Sequence, residues 1–119
     1  MPANIILVHD DLTFVGDVVD ALKSAGHNIA SFRDPIDAME SINATSRIDI
    51  LITRVHFRSG RGNGVALAGW ARTQRPEVNV LFTVAPENIE HVEEIGEFVV
   101  APIQIPELVA TVTKLANQI

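Results

Sequence analysis

Short apolar runs alternate along the whole of this chain with longer segments whose apolar residues repeat at helical spacing, and that alternation leaves few folds open. Residues 4–8 (NIILV) form a continuous apolar run, as a strand covered on both faces requires. In residues 11–25, Val15, Val18, Val19 and Leu22 fall on one helical face, and Gly26 suits the left-handed position after a helix. Residues 27–32 read as a second strand. Asp34 then Pro35 is a helix start, an acidic cap followed by proline in the first turn, with Ile36, Met39 and Ile42 as the expected buried stripe. Residues 48–55 (IDILITRV) read as a third strand. Residues 56–64 (HFRSGRGNG) read as a loop, because closely spaced glycines disfavour both regular structures. A helix over 65–75 ends before Pro76, a fourth strand covers 78–84, a short acidic helix covers 86–95 and a fifth strand covers 97–100. Leu108, Val112, Leu115, Ala116 and Ile119 give the last helix its apolar face, with Pro106 near its first turn.

Five strands alternating with five helices predict a parallel sheet, because each connection is a helical crossover. Right-handed crossovers then point to a doubly wound, flavodoxin-like α/β fold with strand order 2-1-3-4-5. The 119 residues are expected to form one domain, 1–119, with no repeat and no linker. The chain has no cysteine, which excludes a disulfide framework, a thiol nucleophile and a cysteine zinc site. The opening apolar run is broken by His9, Asp10 and Asp11, unlike a signal peptide, and no run reaches the roughly 20 apolar residues of a membrane span. A cytoplasmic protein without a membrane partner is the expectation.

Fifteen acidic against nine basic residues give a formal net charge of −6. A nucleic-acid partner is not expected, because phosphate neutralisation needs the opposite balance. The charges are also segregated: Arg54, Arg58, Arg61, Arg72 and Arg75 precede Glu87, Glu90, Glu93, Glu94 and Glu97. They are either two solvated faces or two partner surfaces of opposite sign.

Ligands of such sheets sit beyond the carboxyl ends of the strands. The residues there are His9, Asp10 and Asp11, then Arg54, Val55 and His56, then Val84 and Ala85, then Ala101 and Pro102. The pattern resembles the receiver domains of two-component response regulators, the family of the single-domain chemotaxis regulator. ILVHDD (6–11) is similar to that family's first strand with its acidic pair, Asp10 and Asp11. SFRDPIDAMESI (31–42) is similar to its second strand and helix, and DILITRV (49–55) to the strand that carries the phosphoacceptor aspartate. RPEVNVLFTVA (75–85) and FVVAPI (98–103) are similar to its fourth and fifth strands. The resemblance covers nearly the whole chain.

The departures fall on the chemistry. Arg54 holds the phosphoacceptor position, Ala101 holds the position of the lysine that contacts the phosphoryl group, and Val84 holds the Ser/Thr position. Thr83 lies one residue earlier, and strand alternation turns it to the other face. The resemblance implies three carboxylates around Mg²⁺ in an intact receiver. A guanidinium cannot attack phosphorus, and its charge disfavours a cation nearby. No cofactor, no metal and no enzymatic activity are therefore expected. Arg54 is expected instead to bridge Asp10 or Asp11, because the cleft holds both groups by topology; the alternative is that Arg54 extends into solvent and Asp11 only caps the first helix.

Weaker signals remain. His9, His56 and Asp11 could form a transition-metal site, but isolated histidines are far commoner than ligands. The loop over 58–64 could cradle an anion, yet it lacks the Gly-Lys-Ser/Thr end of a phosphate loop. Trp70 is expected to pack on the sheet. Phe98 is either the family's switch aromatic or a core residue. The expected function is an atypical receiver that binds a signalling protein, a histidine kinase or a downstream effector, without phosphorylation. Its partner surface would centre on Glu90, Glu94 and Phe98, and that surface could also form a homodimer. A basic surface of Arg58, Arg61, Arg72 and Arg75 is the alternative. The other functions left open are a flavodoxin-like flavin or phosphate binder and a receiver phosphorylated at Asp10, Asp11 or His56. The chain ends directly after the last helix, so no output domain is expected.

Overall fold

Strands β1 (Asn4–Val8), β2 (Asn28–Phe32), β3 (Ile50–Arg54), β4 (Asn79–Val84) and β5 (Glu97–Val100) make one sheet in a computed structural model that describes residues 2–58, 60 and 62–118. The sheet order is β2-β1-β3-β4-β5, and every neighbouring pair is parallel. The crossovers are α1 (Leu12–Ser24), α2 (Pro35–Ala44), α3 (Gly64–Gln74) and α4 (Ile89–Val92), the last preceded by a 3-10 turn at Pro86–Asn88; α5 (Ile105–Ala116) follows β5. This is the doubly wound, flavodoxin-like arrangement expected from the alternation.

Period-two alternation splits the strands between two cores. Ile5, Leu7, Ile50, Ile52, Leu81 and Val99 face α1 and α5, where Val18, Leu22, Leu108 and Val112 meet them. Ile6, Val8, Leu51, Val80, Phe82 and Val84 face α2, α3 and α4, where Ala38, Ile42, Leu67, Ala71 and Val92 meet them. Trp70 and Phe98 are half-buried against this second core. Ile119 lies outside the described residues.

Three expectations need correction. Ile36 is 47% exposed, and the buried residues of α2 are Pro35, Ala38 and Ile42. The buried stripe starts one residue earlier, on small side chains that let α2 approach the sheet closely. The acidic helix expected over 86–95 is a 3-10 turn and a single α-turn, with Val92 its one buried residue. Arg75, grouped by sequence with a basic surface, donates from Nη2 to the carbonyls of Ile42 (3.1 Å) and Thr45, and so caps the carboxyl end of α2.

Candidate functional site

The chain leaves β1 at Val8 and carries His9, Asp10 and Asp11 across the carboxyl edge of the sheet. Asp11 is the N-cap of α1, its Oδ1 accepting from the backbone N–H groups of Thr13 (3.1 Å) and Phe14 (3.2 Å). The Nδ1 of His9 accepts the Asp11 backbone N–H at 3.1 Å, which leaves the ring proton on Nε2. Its ring tilts against Phe14, centroids 4.6 Å apart. Burial first, and then the Arg54 guanidinium, lower the His9 pKa to about 4 from an ordinary 6.5, against the opposing pull of Asp10 and Asp11. His9 is therefore neutral at neutral pH, and its 4.0 Å approach to Asp10 is not an ion pair.

Asp10 is held from two sides. Arg54, at the end of β3, donates from Nη1 to Asp10 Oδ1 at 2.5 Å. The backbone N–H of Arg58 donates to Oδ2 at 2.7 Å. The Asp10 side chain is 14% exposed and that of Arg54 29%, so the pair is partly buried. Burial pushes the Asp10 carboxyl up, but the Arg58 N–H and the Arg54 guanidinium outweigh it and hold the pKa below the usual value.

The Arg58 contact depends on how the loop after β3 returns to the sheet. Gly64 donates its N–H to the Val55 carbonyl at 2.8 Å, His56 bridges Asn63, and Asn63 caps α3. A Cβ at position 64 would lie 1.9 Å from the Arg54 carbonyl oxygen, so only glycine fits there. Ser59 and Arg61, part of the loop read from sequence as an anion cradle, lie outside the described residues.

Thr83 pairs in register with Arg54 and is 5% exposed, with a hydroxyl that has no hydrogen-bond partner. Alternation places it on the α1/α5 side of the sheet, the side that Arg54 follows after Ile50 and Ile52. Val84, at the position of the family's hydroxyl residue, packs into the opposite core. Ala101 is exposed after β5, donates its N–H to the Val84 carbonyl at 2.7 Å, and is joined to Pro102 by a cis bond. His9, Arg54, Thr83, Val84, Ala101 and Ile103 surround a cleft of about 140 Å³.

This set does not fit Mg²⁺, which needs several oxygen ligands in a near-octahedral array. A guanidinium lies against Asp10 Oδ1, and the Asp11 carboxylate faces backbone amides. Nor do the three residues read as a transition-metal site converge. His9 Nδ1 accepts an N–H, His56 is exposed, and among the described residues no three His, Asp or Glu side chains are placed to share an ion.

The residues singled out as a partner surface lie on the far side of β4. Glu90 and Glu94 are exposed on and just after α4, Phe98 is half-buried on β5, and β5 is an edge strand. Glu97 is compensated by Lys114 at 3.4 Å. The basic run does not form one face. Arg58 is at the carboxyl edge, Arg75 caps α2, Arg61 is outside the described residues, and Arg72 shares a polar hollow with Glu93 and Glu94. Sequence reasoning missed the Arg58 N–H and the Gly64 contact. A main-chain donor has no residue signature, and only the clustered glycines hinted at the close approach.

No known family profile matches the sequence, and no curated protein matches it. Solved structures do resemble it. A protein described as adenylate cyclase from Rhodopirellula baltica superposes with a TM-score of 0.90 at 16% identity, covering 99% of this chain and 90% of that one. NtrX from Brucella abortus gives 0.88 at 22%, covering 99% of this chain, which spans only 28% of NtrX. A response regulator receiver protein from Sinorhizobium medicae gives 0.85 at 20%, covering 98% and 95%. At these identities the likeness establishes the fold, which is that of response-regulator receiver domains.

Proposed function

We propose that this chain is an atypical receiver of two-component signalling that binds a partner protein and performs no phosphoryl transfer. The observation that carries the reading is the Arg54 guanidinium on Asp10, at 2.5 Å, where the receiver resemblance implies a phosphoacceptor and its metal. A guanidinium is not a nucleophile, and its charge opposes a divalent cation at the same carboxylate. Asp11 Oδ1 is already bonded to two helix N–H groups and both oxygens of Asp10 are engaged, so the pair is committed to holding the chain and not to a metal. In this reading Arg54 fixes what a metal and a phosphoryl group would otherwise switch, and the domain presents one surface at all times.

That surface is Glu90, Glu94 and Phe98 beside the β5 edge. The carboxylates would steer a basic partner, and the half-buried ring would supply apolar contact. The partner is a signalling protein, a histidine kinase or a downstream effector, and the working compartment is the cytoplasm. Among the described residues no helix is long and apolar enough to cross a membrane.

The test is incubation with a small-molecule phosphodonor and Mg²⁺, followed by intact-mass measurement. The expected result is no phosphoryl adduct and no change in melting temperature on adding Mg²⁺. An adduct labile to hydroxylamine would overturn the reading. Arg54→Asp alone is expected to restore little phosphorylation, because Ala101 and Val84 remain.

A further inference from the structure

The sheet has a second open edge, at β2, and no described residue pairs with its outer side. Against β1, Asn28 donates its N–H to the Ala3 carbonyl at 3.0 Å, and the Phe32 carbonyl accepts the His9 N–H at 3.0 Å. Successive residues of a strand bond on alternate sides, so Asn28, Ala30 and Phe32 bond inward. Ile29 and Ser31 therefore turn their N–H and C=O groups outward. The strand has none of the side chains that block an open edge: residues 28–32 (NIASF) include no proline and no charge. Ala30 is exposed, and its small side chain stands beside Ile6 on the α2 side of the sheet. Ala30, Ile6, Ile48 and Arg47 are among the walls of a hollow of about 220 Å³ there. Cations bracket the strand. Lys23, in the last turn of α1, and Arg33, directly after β2, are exposed, and no acidic residue lies between them in sequence. The Arg47 side chain is 56% exposed, although its Nε donates to Asp49. Asp34, next in the chain, is buried as the cap of α2.

We propose that the β2 edge binds an extended segment of a partner protein by strand addition, with an aliphatic side chain opposite Ala30 and acidic residues on either side of it. The outward N–H and C=O groups of Ile29 and Ser31 supply the main-chain bonds. A residue opposite Ala30 projects to the same face of the sheet, so an aliphatic side chain there covers Ala30 and enters the hollow over Ile6 and Ile48. Lys23, Arg33 and Arg47 select acidic flanks by charge complementarity. The formal charge of −6 on each chain disfavours a second copy as the occupant. This edge is opposite β5 in the sheet, so the contact adds to the surface of Glu90, Glu94 and Phe98 and does not depend on it.

The experiment is a titration of the full ¹⁵N-labelled chain with a blocked synthetic peptide, Glu-Glu-Thr-Val-Thr-Glu-Glu, and with a control in which every Glu is Lys. Saturable amide shifts at Ile29, Ala30 and Ser31, with slowed amide exchange at Ile29 and Ser31, are expected with the acidic peptide. The lysine peptide is expected to bind about tenfold more weakly or less. Ser31→Pro removes an outward donor and no bond to β1, and Ala30→Leu fills the hollow from an exposed position. Each variant is expected to weaken binding of the acidic peptide about tenfold. The absence of saturable shifts with the acidic peptide would overturn the proposal, as would equal affinity for the two peptides or native binding by Ala30→Leu. Exchange at Ile29 and Ser31 that slows as the chain alone is concentrated would give the edge to a second copy and overturn the choice of partner.

Discussion

At the scale of single residues, the carboxyl edge of the sheet titrates in two separate windows. His9 has a folded pKa near 4 against an ordinary 6.5, so between those values the unfolded chain takes up a proton that the folded chain refuses. Its stabilising effect is complete above about pH 6.5 and is lost as the pH falls towards about 4. His27 adds to the same slope, because burial also lowers its pKa while its Nδ1 accepts the Ala3 N–H at 2.9 Å. Replacing His9 with Asn keeps an acceptor for the Asp11 N–H and removes the titration. Urea midpoints measured from pH 7 to pH 4 are expected to fall less steeply for His9→Asn than for the native chain; equal slopes would mean that His9 titrates normally. Asp10 acts lower. Its carboxyl is held below the usual value, so its contribution is present above the ordinary carboxylate pKa and is lost as pH falls through the depressed one. Asp10→Ala is expected to cost about 2 kcal/mol at neutral pH, since it strands the Arg54 cation and the Arg58 N–H together. That difference should shrink in urea titrations as the pH falls below the ordinary carboxylate range.

At the scale of elements, what the sequence made legible was local chemistry. Asp34 before Pro35, Asp11 before an apolar-periodic segment, and the continuous run NIILV each announce a cap or a strand through neighbouring residues alone, and each element stands where those residues put it. Val84 joins the core under α3 while Thr83 follows Leu81 on the α1/α5 side, the opposite faces that alternation requires. Contacts closed by the returning chain were not legible. The α2 stripe depends on how near that helix comes to the sheet, which demotes Ile36 and promotes Ala38. The Arg54–Asp10 contact was expected from topology, whereas the second bond to Asp10 comes from a loop whose return is set by Gly64. This gives a paired prediction on two glycines of α3. Gly64→Ala forces a Cβ into the Arg54 carbonyl and is expected to cost about 3 kcal/mol or more. Gly69→Ala meets nothing within 4 Å in an exposed helix interior and is expected to stabilise by up to about 1 kcal/mol. Urea denaturation of the two variants measures both, and a tolerated Gly64→Ala would show that the loop can close by another path.

At the scale of the whole molecule, the sign of the salt dependence separates the two kinds of partner that the acidic face could take. Each chain carries a formal charge of −6. Glu90 and Glu94 are exposed, Lys114 is paired with Glu97, and Arg72 shares the hollow with Glu93 and Glu94. A basic partner gains from this field, so added salt should weaken its binding by screening the attraction. A two-fold homodimer through the same face would set Glu90 and Glu94 against a second acidic set, and added salt should strengthen it. Sedimentation velocity of the chain alone across a salt series measures the second case, and binding of a protein partner recovered by pull-down with the full chain measures the first. The proposed function expects a monomer at low salt, with partner affinity that falls as salt rises. Reversing Glu90 and Glu94 to Lys should reduce that affinity about tenfold and flatten its salt dependence. Partner binding that survives this double reversal, but is lost on reversing Arg58 and Arg72, would move the docking surface away from β5.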